Sequence, residues 1–266
     1  MNFEWARDLS DEQWAAALAR EDHRTPALPP SEVQSSFVGS SGLRAYDECK
    51  VFWRLTTNYL RSSNGDISVE DIKVLDVGVG WGRIYRWLLR DVSPRNLVGV
   101  DVDSKAIAMC TTAMPYGQFV TVSPGQPYPG APYDLAVAYS VFSHLSETAA
   151  RSVLHCARAA LRPNGLMALT TLRPAHIDLW ARQTTEPFYG EQLAAQNFDR
   201  VEWWERATDG QHLYVQTGGG DPSRPPDAYG EAVVPKSWWE HVDGFKLVAF
   251  ERRNDLPQSY VVLQAV

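Results

Sequence analysis

Between Lys73 and Thr171 the chain alternates short, near-continuous apolar runs with segments of helical periodicity, and this alternation restricts the fold more than any other feature. The runs are Val74-Leu75-Asp76-Val77-Gly78, Leu97-Val98-Gly99-Val100-Asp101, Phe119-Val120-Thr121-Val122, Asp134 to Tyr139 and Leu166 to Thr170. Between them, Ile84, Trp87 and Leu88 follow at helical spacing, and Asp103 or Ser104 is suited to cap a helix running toward Met114. A longer helix from about Glu147 puts Ala150, Val153, Leu154, Ala157 and Leu161 on one face, and Arg162-Pro163-Asn164-Gly165 stops it. Strands that are apolar throughout are buried on both faces, and parallel neighbours need crossover helices. The pattern therefore predicts an α/β protein with a doubly wound, mostly parallel sheet.

The flanks read differently. Ser10 with Gln13 makes a capping box for a helix over Asp11 to Arg20, ended by Pro26, Pro29 and Pro30. A second helix is predicted from Leu43 to Leu60, with Ser62 to Gly65 closing it. At the other end, Phe245 to Arg252 and Ser259 to Ala265 are strands joined by Asn254-Asp255-Leu256-Pro257, too short a link for a crossover, so they pair antiparallel. Between lies an insertion with an Asp209-Gly210 turn flanked by Val201-Glu202-Trp203-Trp204 and His212-Leu213-Tyr214-Val215, read as a hairpin, and a loop Gly218-Gly219-Gly220-Asp221-Pro222. The expected division is a helical segment over 1–65, a ligand-binding core over 66–172, an insertion over 173–240 and core-completing strands over 241–266.

Composition narrows the function. With 44% hydrophobic and 21% charged residues the chain has enough apolar material for a core, and 25 basic against 32 acidic residues leave a net charge of −7. There is no basic field for nucleic acid. An acidic start and no apolar run of membrane-spanning length predict neither export nor a membrane span, and three widely spaced cysteines, Cys49, Cys110 and Cys156, fit a reducing cytoplasm. Of ten tryptophans, Trp180, Trp203, Trp204, Trp238 and Trp239 fall in the last third. Read as strands, each adjacent pair sends one ring to the core and leaves the other for an acceptor platform or a homodimer contact.

The run Asp76-Val77-Gly78-Val79-Gly80-Trp81-Gly82-Arg83 follows the first strand, where open α/β sheets bind ligands. Arg83 occupies the sixth place of the dinucleotide fingerprint, where a small residue is needed, and no lysine follows as in a P-loop. A carboxylate at Asp76 opposes a phosphate and suits an ammonium group. Asp101, ending the second strand, is placed to accept hydrogen bonds from a ribose. The two acids together suit a nucleoside with an amino-acid head and no phosphate.

Four segments in order, Val74 to Gly82, Val98 to Asp101, Tyr133 to Leu145 (YDLAVAYSVFSHL) and Leu161-Arg162-Pro163-Asn164-Gly165, resemble the class I S-adenosylmethionine-dependent methyltransferases. The resemblance covers Val74 to Thr171. It implies a Rossmann-like, seven-stranded sheet whose last strand is antiparallel, with S-adenosylmethionine as cofactor. It further implies that Asp76, Gly78, Gly80 and Gly82 form the methionine-side turn with Trp81 and Arg83 beside them. Asp101 then holds the ribose, with Val102 among the cofactor contacts, and Tyr139 and Ser140 line the site after the fourth strand. Members often carry an acid after the third strand for the adenine amino group; here the stretch reads Val122-Ser123-Pro124-Gly125-Gln126, so Ser123, Gln126 or backbone carbonyls substitute. Phe37-Val38-Gly39, Ser140 to Leu145 and Pro257 to Leu263 look like bacterial members tied to polysaccharide or secondary-metabolite pathways, which implies a small or sugar-like acceptor.

A hydroxyl acceptor wants a general base. His176, in Arg173-Pro174-Ala175-His176-Ile177-Asp178 beyond the fifth strand, leads, with Asp178 as its partner; His144 is the second candidate, against a site-lining role. His155 reads as solvated. Arg173, Asp178, Trp203, Trp204 and His212 are the substrate-side candidates, each with a packing or strand-ending role as its alternative. His176, Asp178 and Asp134 lack metal-ligand spacing, and no metal is expected. Against O-methylation of a small neutral or cationic acceptor stand N-methylation of a small amine, a binding or scaffold protein that keeps the fold, and a dehydrogenase, which Arg83 disfavours.

Overall fold

A computed structural model of the chain describes residues 3–20, 22–64, 67–217, 224–225 and 227–266. The expected loop Gly218 to Pro222 and the closing Gly65 lie outside the described residues. The elements run in chain order as α1 (Asp11–Ala19), α2 (Ser31–Val38), α3 (Arg44–Asn64), β1 (Val74–Val77), α4 (Arg83–Leu88), β2 (Leu97–Asp101), α5 (Ser104–Ala113), β3 (Gln118–Thr121) and β4 (Tyr133–Ala138). They continue as α6 (Glu147–Ala160), β5 (Leu161–Thr171), α7 (His176–Gln183), α8 (Pro187–Ala195), α9 (Arg200–Thr208), β6 (Leu213–Val215), β7 (Glu231–Val233), α10 (Lys236–Trp239), β8 (Phe245–Glu251) and β9 (Ser259–Ala265).

The main sheet has seven strands in the order β3-β2-β1-β4-β5-β9-β8. β1 is parallel to β2, with Val74 opposite Leu97 and Val77 opposite Val100, and parallel to β4, with Asp76 opposite Val137. β1, β2 and most of β4 are buried, as their apolar runs require, whereas β3 is largely exposed because it is the edge strand. The chain winds outward from β1 to β3, then returns to β4 and β5, so the strand order reverses between β1 and β4. In open α/β sheets such a reversal marks where ligands bind, outside the carboxyl ends of the strands. β8 and β9 pair antiparallel with an irregularity between Leu247 and Ala249, as the short link between them dictates.

Two compact units divide the chain: unit 1 is Met1–Ser123, Tyr128–Val137 and Ala160–Leu166, and unit 2 is Pro124–Pro127, Ala138–Ala159 and Met167–Val266. In unit 1 the Ser10 hydroxyl accepts from the Gln13 N–H while the Gln13 side chain accepts from the Ser10 N–H, the reciprocal cap expected at the start of α1. Trp14 on α1 is fully buried and donates from Nε1 to the Trp87 carbonyl at 2.9 Å, tying α1 to the end of α4. Arg86 on α4 is also fully buried, and its guanidinium donates to the carbonyls of Trp81 and, at 2.9 Å, Ala27. α2 begins directly after Pro30 with no side-chain cap, so no start signal in the sequence marks it.

In unit 2 the hairpin forms with a different partner. β6 pairs antiparallel with β7, Leu213 opposite Val233, while Val201 to Trp204 lies in helix α9 rather than a strand. Asp199 caps α9 by accepting from the Glu202 N–H at 2.9 Å. Helical spacing then directs Trp203 into a cluster with Ile177, Trp180, Leu193, Ala207, Leu213, Val215 and Val233, with Trp204 only partly buried against it. Trp238 and Trp239 likewise sit on helix α10 and are both buried, which corrects the alternating-strand reading of both tryptophan pairs. Among the described residues no helix is long and apolar enough to cross a membrane.

Candidate functional site

Unit 1 builds its site from backbone. After β1 the chain turns sharply: the N–H groups of Gly78 and Val79 both donate to the Val100 carbonyl, at 2.8 and 3.0 Å, and Gly78, Gly80 and Gly82 have φ of 71°, 52° and 81°. Side chains avoid that left-handed region, at about 1–2 kcal/mol each. Gly82 has a second constraint, since an added Cβ meets Arg86 Nη1 at 2.7 Å and Met114 Cε at 2.9 Å. Asp101 locks the turn: Oδ2 accepts from the Gly80 N–H at 2.8 Å and Oδ1 from the Asp103 N–H at 2.9 Å.

Asp76 is the least compensated group here. Its side chain is 2% exposed and Oδ2 has no hydrogen-bond partner. Burial, reinforced by the negative charge of Asp101, pushes its pKa up to about 8. A buried carboxylate oxygen without a donor, beside a second acid, calls for a cation. Trp81 is buried edge-on to Tyr46, ring centroids 6.1 Å apart. Arg83 is buried too, its Nη1 3.1 Å from both the Ala45 carbonyl and Glu48 on α3, so its charge is spent within unit 1. Val102 is half-buried and Ser123 exposed.

These residues fit S-adenosylmethionine. The orphaned Asp76 oxygen suits the ammonium of its methionyl part, and Asp101, whose two oxygens accept from the Gly80 and Asp103 N–H groups, is a carboxylate of the kind that accepts from ribose hydroxyls. No phosphate fits beside two acids.

Unit 2 assembles its polar groups from distant positions. Tyr139, buried, and Ser140 follow β4; the Ser140 N–H donates to Thr170 Oγ1 at 2.8 Å. His144 Nδ1 donates to the Gly230 carbonyl at 2.8 Å, and its ring stacks on Tyr229 at 5.1 Å. Since a carbonyl only accepts, the proton is on Nδ1 and Nε2 of the neutral ring carries a lone pair. Burial holds the His144 pKa below its ordinary value, outweighing the Gly230 bond. His176 opens α7 and its Nε2 lies 3.2 Å from Glu231 Oε2, which also accepts from Trp180 Nε1 at 2.6 Å; Glu231 Oε1 accepts from the Tyr189 hydroxyl at 3.1 Å. Burial pushes the Glu231 carboxyl up, but the bonds from His176 and Trp180 prevail and hold it below the usual range.

The partner of His176 is thus Glu231 and not Asp178, which instead accepts from Arg200 Nε at 2.7 Å and Trp204 Nε1 at 3.1 Å. Arg173 donates to the carbonyls of Arg253 and Leu256. Trp203 is core, and His212 is buried edge-on to Trp238 with neither ring nitrogen hydrogen-bonded. Asp134 pairs with Arg162 at 2.6 Å, and His155 is exposed. Glu231 carried no local sequence signal, since its three partners lie 42 to 55 positions away.

Residues 74–165 match the family model of a methyltransferase domain. No curated protein matches the chain by sequence. Among solved structures, an amino pentose methyltransferase from Micromonospora echinaspora involved in calicheamicin biosynthesis, with S-adenosylmethionine bound, is similar at a TM-score of 0.55 and 13% identity, covering 90% of this chain and 99% of that one. DesVI of Streptomyces venezuelae gives 0.53 at 11% identity, covering 90% and 100%. The magnesium protoporphyrin IX methyltransferase of Synechocystis, with bound S-adenosylhomocysteine, gives 0.50 at 12%, covering 84% and 87%. At such identities the likeness speaks for the fold, a Rossmann-like methyltransferase fold with an antiparallel last strand pair. Over residues 74–165 the chain is thus similar to methyltransferase domains.

Proposed function

We propose that this protein is an S-adenosylmethionine-dependent methyltransferase that methylates a hydroxyl of a small, sugar-like acceptor. The observation that carries the reading is the unpartnered, buried Oδ2 of Asp76 below a turn of left-handed glycines locked by Asp101. When bound, S-adenosylmethionine supplies an electrophilic methyl group on a sulfonium. Asp76 holds the ammonium and Asp101 the ribose, with Gly78, Gly80, Trp81, Gly82, Arg83, Val102, Ser123, Tyr139 and Ser140 completing the cofactor set.

Unit 2 supplies the acceptor side. A hydroxyl loses its proton as its oxygen takes the methyl group, and His144 Nε2, a lone pair on a ring kept neutral by burial, is the base that receives it. The products are a methyl ether, the thioether form of the cofactor and an imidazolium at His144. His176, whose Nε2 is engaged by Glu231, serves as second base candidate and orients the acceptor. Arg173, Asp178, Trp203, Trp204 and His212 act at this stage through the loops and rings they hold in position.

Isothermal titration with S-adenosylhomocysteine tests the cofactor assignment: micromolar binding is expected, and none at millimolar ligand ends the reading. Labelled-methyl transfer to a panel of glycosides, phenols and small amines tests the acceptor. Transfer to hydroxyls, lost in His144→Gln, is the expected result; transfer to amines alone, unchanged in that variant, favours N-methylation. Cofactor binding with no transfer to any of them favours a binding protein on the same fold.

A further inference from the structure

Ser140 is one of the described non-glycine residues with positive φ, at 59°, in the segment that follows β4. Such a backbone costs a side-chain-bearing residue about 1–2 kcal/mol and persists where its surroundings hold it. Three elements hold this one. Thr170 on β5 takes the Ser140 N–H, Ser143 Oγ lies 3.1 Å from Ser140 Oγ, and Gln258 Nε2, just ahead of β9, donates to Ser140 Oγ at 2.8 Å. Arg173 fastens the approach to β9 by donating to the carbonyls of Arg253 and Leu256, so Gln258 is fixed from both sides.

The other end of the Gln258 amide is unused: Oε1 is buried with no hydrogen-bond partner. Leaving such an oxygen bare costs about 1–3 kcal/mol, which a donor from a ligand recovers. The chemistry of the cluster defines that ligand. Ser140, Ser143, Thr170 and Gln258 are all neutral, and the free atom accepts only. An anion meets it lone pair to lone pair. An ammonium needs a carboxylate, and Glu231 already takes three donors in this unit. A neutral hydroxyl fits.

We propose that Gln258, held by Ser140 and Ser143, is a recognition subsite for a hydroxyl of a neutral, polyhydroxylated acceptor. As an acceptor subsite it rests on the methyltransferase reading; as a binding site it is measured on its own. Saturation-transfer NMR with methyl α-glucopyranoside, glucosamine and glucuronate as probes decides it. The neutral glycoside is expected to show saturation and glucuronate none, and Gln258→Leu is expected to weaken the glycoside about tenfold, the loss of one hydrogen bond. Gln258→Glu keeps the shape and adds a charge, and shifts preference toward glucosamine by about tenfold, so the outcome does not depend on the leucine variant folding. Equal saturation from glucuronate, no saturation from the glycoside, or unchanged behaviour in both variants overturns the subsite. Titration of the same sample with S-adenosylhomocysteine separates the two claims: cofactor binding without glycoside binding removes the subsite alone, and the reverse removes the methyltransferase reading alone.

Discussion

In unit 1 the polar groups of the site come from one short stretch, Asp76 to Asp103, and most are backbone N–H groups ordered by glycine conformations. In unit 2 they are side chains gathered from the ends of β4 and β5, from α7 and α8, from β7 and from the residue before β9. A site made of backbone presents the same donors whatever side chains vary around it, which suits a fixed cofactor. A site made of side chains is altered by single substitutions, which suits an acceptor that differs from one relative to the next. The contrast also has an energetic form: unit 1 leaves a buried acid without a cation, and unit 2 leaves a buried base without a partner.

The largest expected effect sets these two groups against each other in pH. Asp76, at about 8 in the fold against 3.8 unfolded, takes up a proton that the unfolded chain releases, so its contribution to stability is full below pH 4 and lost as pH rises toward 8, roughly 6 kcal/mol in all. His212 runs the other way. Burial pushes it down to about 4 against 6.5 unfolded, so stability falls by roughly 3 kcal/mol as pH drops from 6.5 to 4. Urea unfolding at several pH values is expected to show the first slope removed by Asp76→Asn and the second by His212→Phe; equal slopes in wild type and variants break the comparison.

Next in size, Trp203→Ala should destabilise unit 2 by about 4 kcal/mol, the range for a large aromatic removed from a core, while Trp204→Ala should cost about 1 kcal/mol. Comparable losses at both positions contradict the helical placement of the pair. Asp101→Ala should weaken S-adenosylhomocysteine by roughly 100-fold in calorimetry, about 3 kcal/mol, since the variant loses both the lock on Gly80 and the proposed ribose acceptor. Smallest is Ser10→Ala, about 1 kcal/mol by thermal unfolding, with cofactor affinity unchanged, because the cap of α1 is part of neither site.

The same contrast governs what was legible in the sequence. β1, β2 and β4 announce themselves because strands buried on both faces are apolar throughout, and the turn after β1 because left-handed backbone selects glycine. Asp76 and Asp101 stand out as candidates by their places late in β1 and at the end of β2. In unit 2 local pattern misleads: Val201-Glu202-Trp203-Trp204 has β-forming residues, yet Asp199 three positions before Glu202 is a helix-start signal that outweighs them. Glu231 and Gln258 had no such signal. Each acquires its role only when β7 and β9 bring it to residues far away in the chain, and such pairing leaves no spacing to read.

Arg86 redraws the boundary of the smallest autonomous piece. The segment that matches the methyltransferase family begins at residue 74, yet this guanidinium is stripped of water and relies on the Ala27 carbonyl as well as that of Trp81. A fragment cut at residue 74 keeps the cation and discards one of its two carbonyl acceptors, and an uncompensated charge in an interior costs several kcal/mol. Truncation, domain grafting or circular permutation of this protein therefore has its N-terminal limit ahead of Ala27, in a stretch that no motif marks.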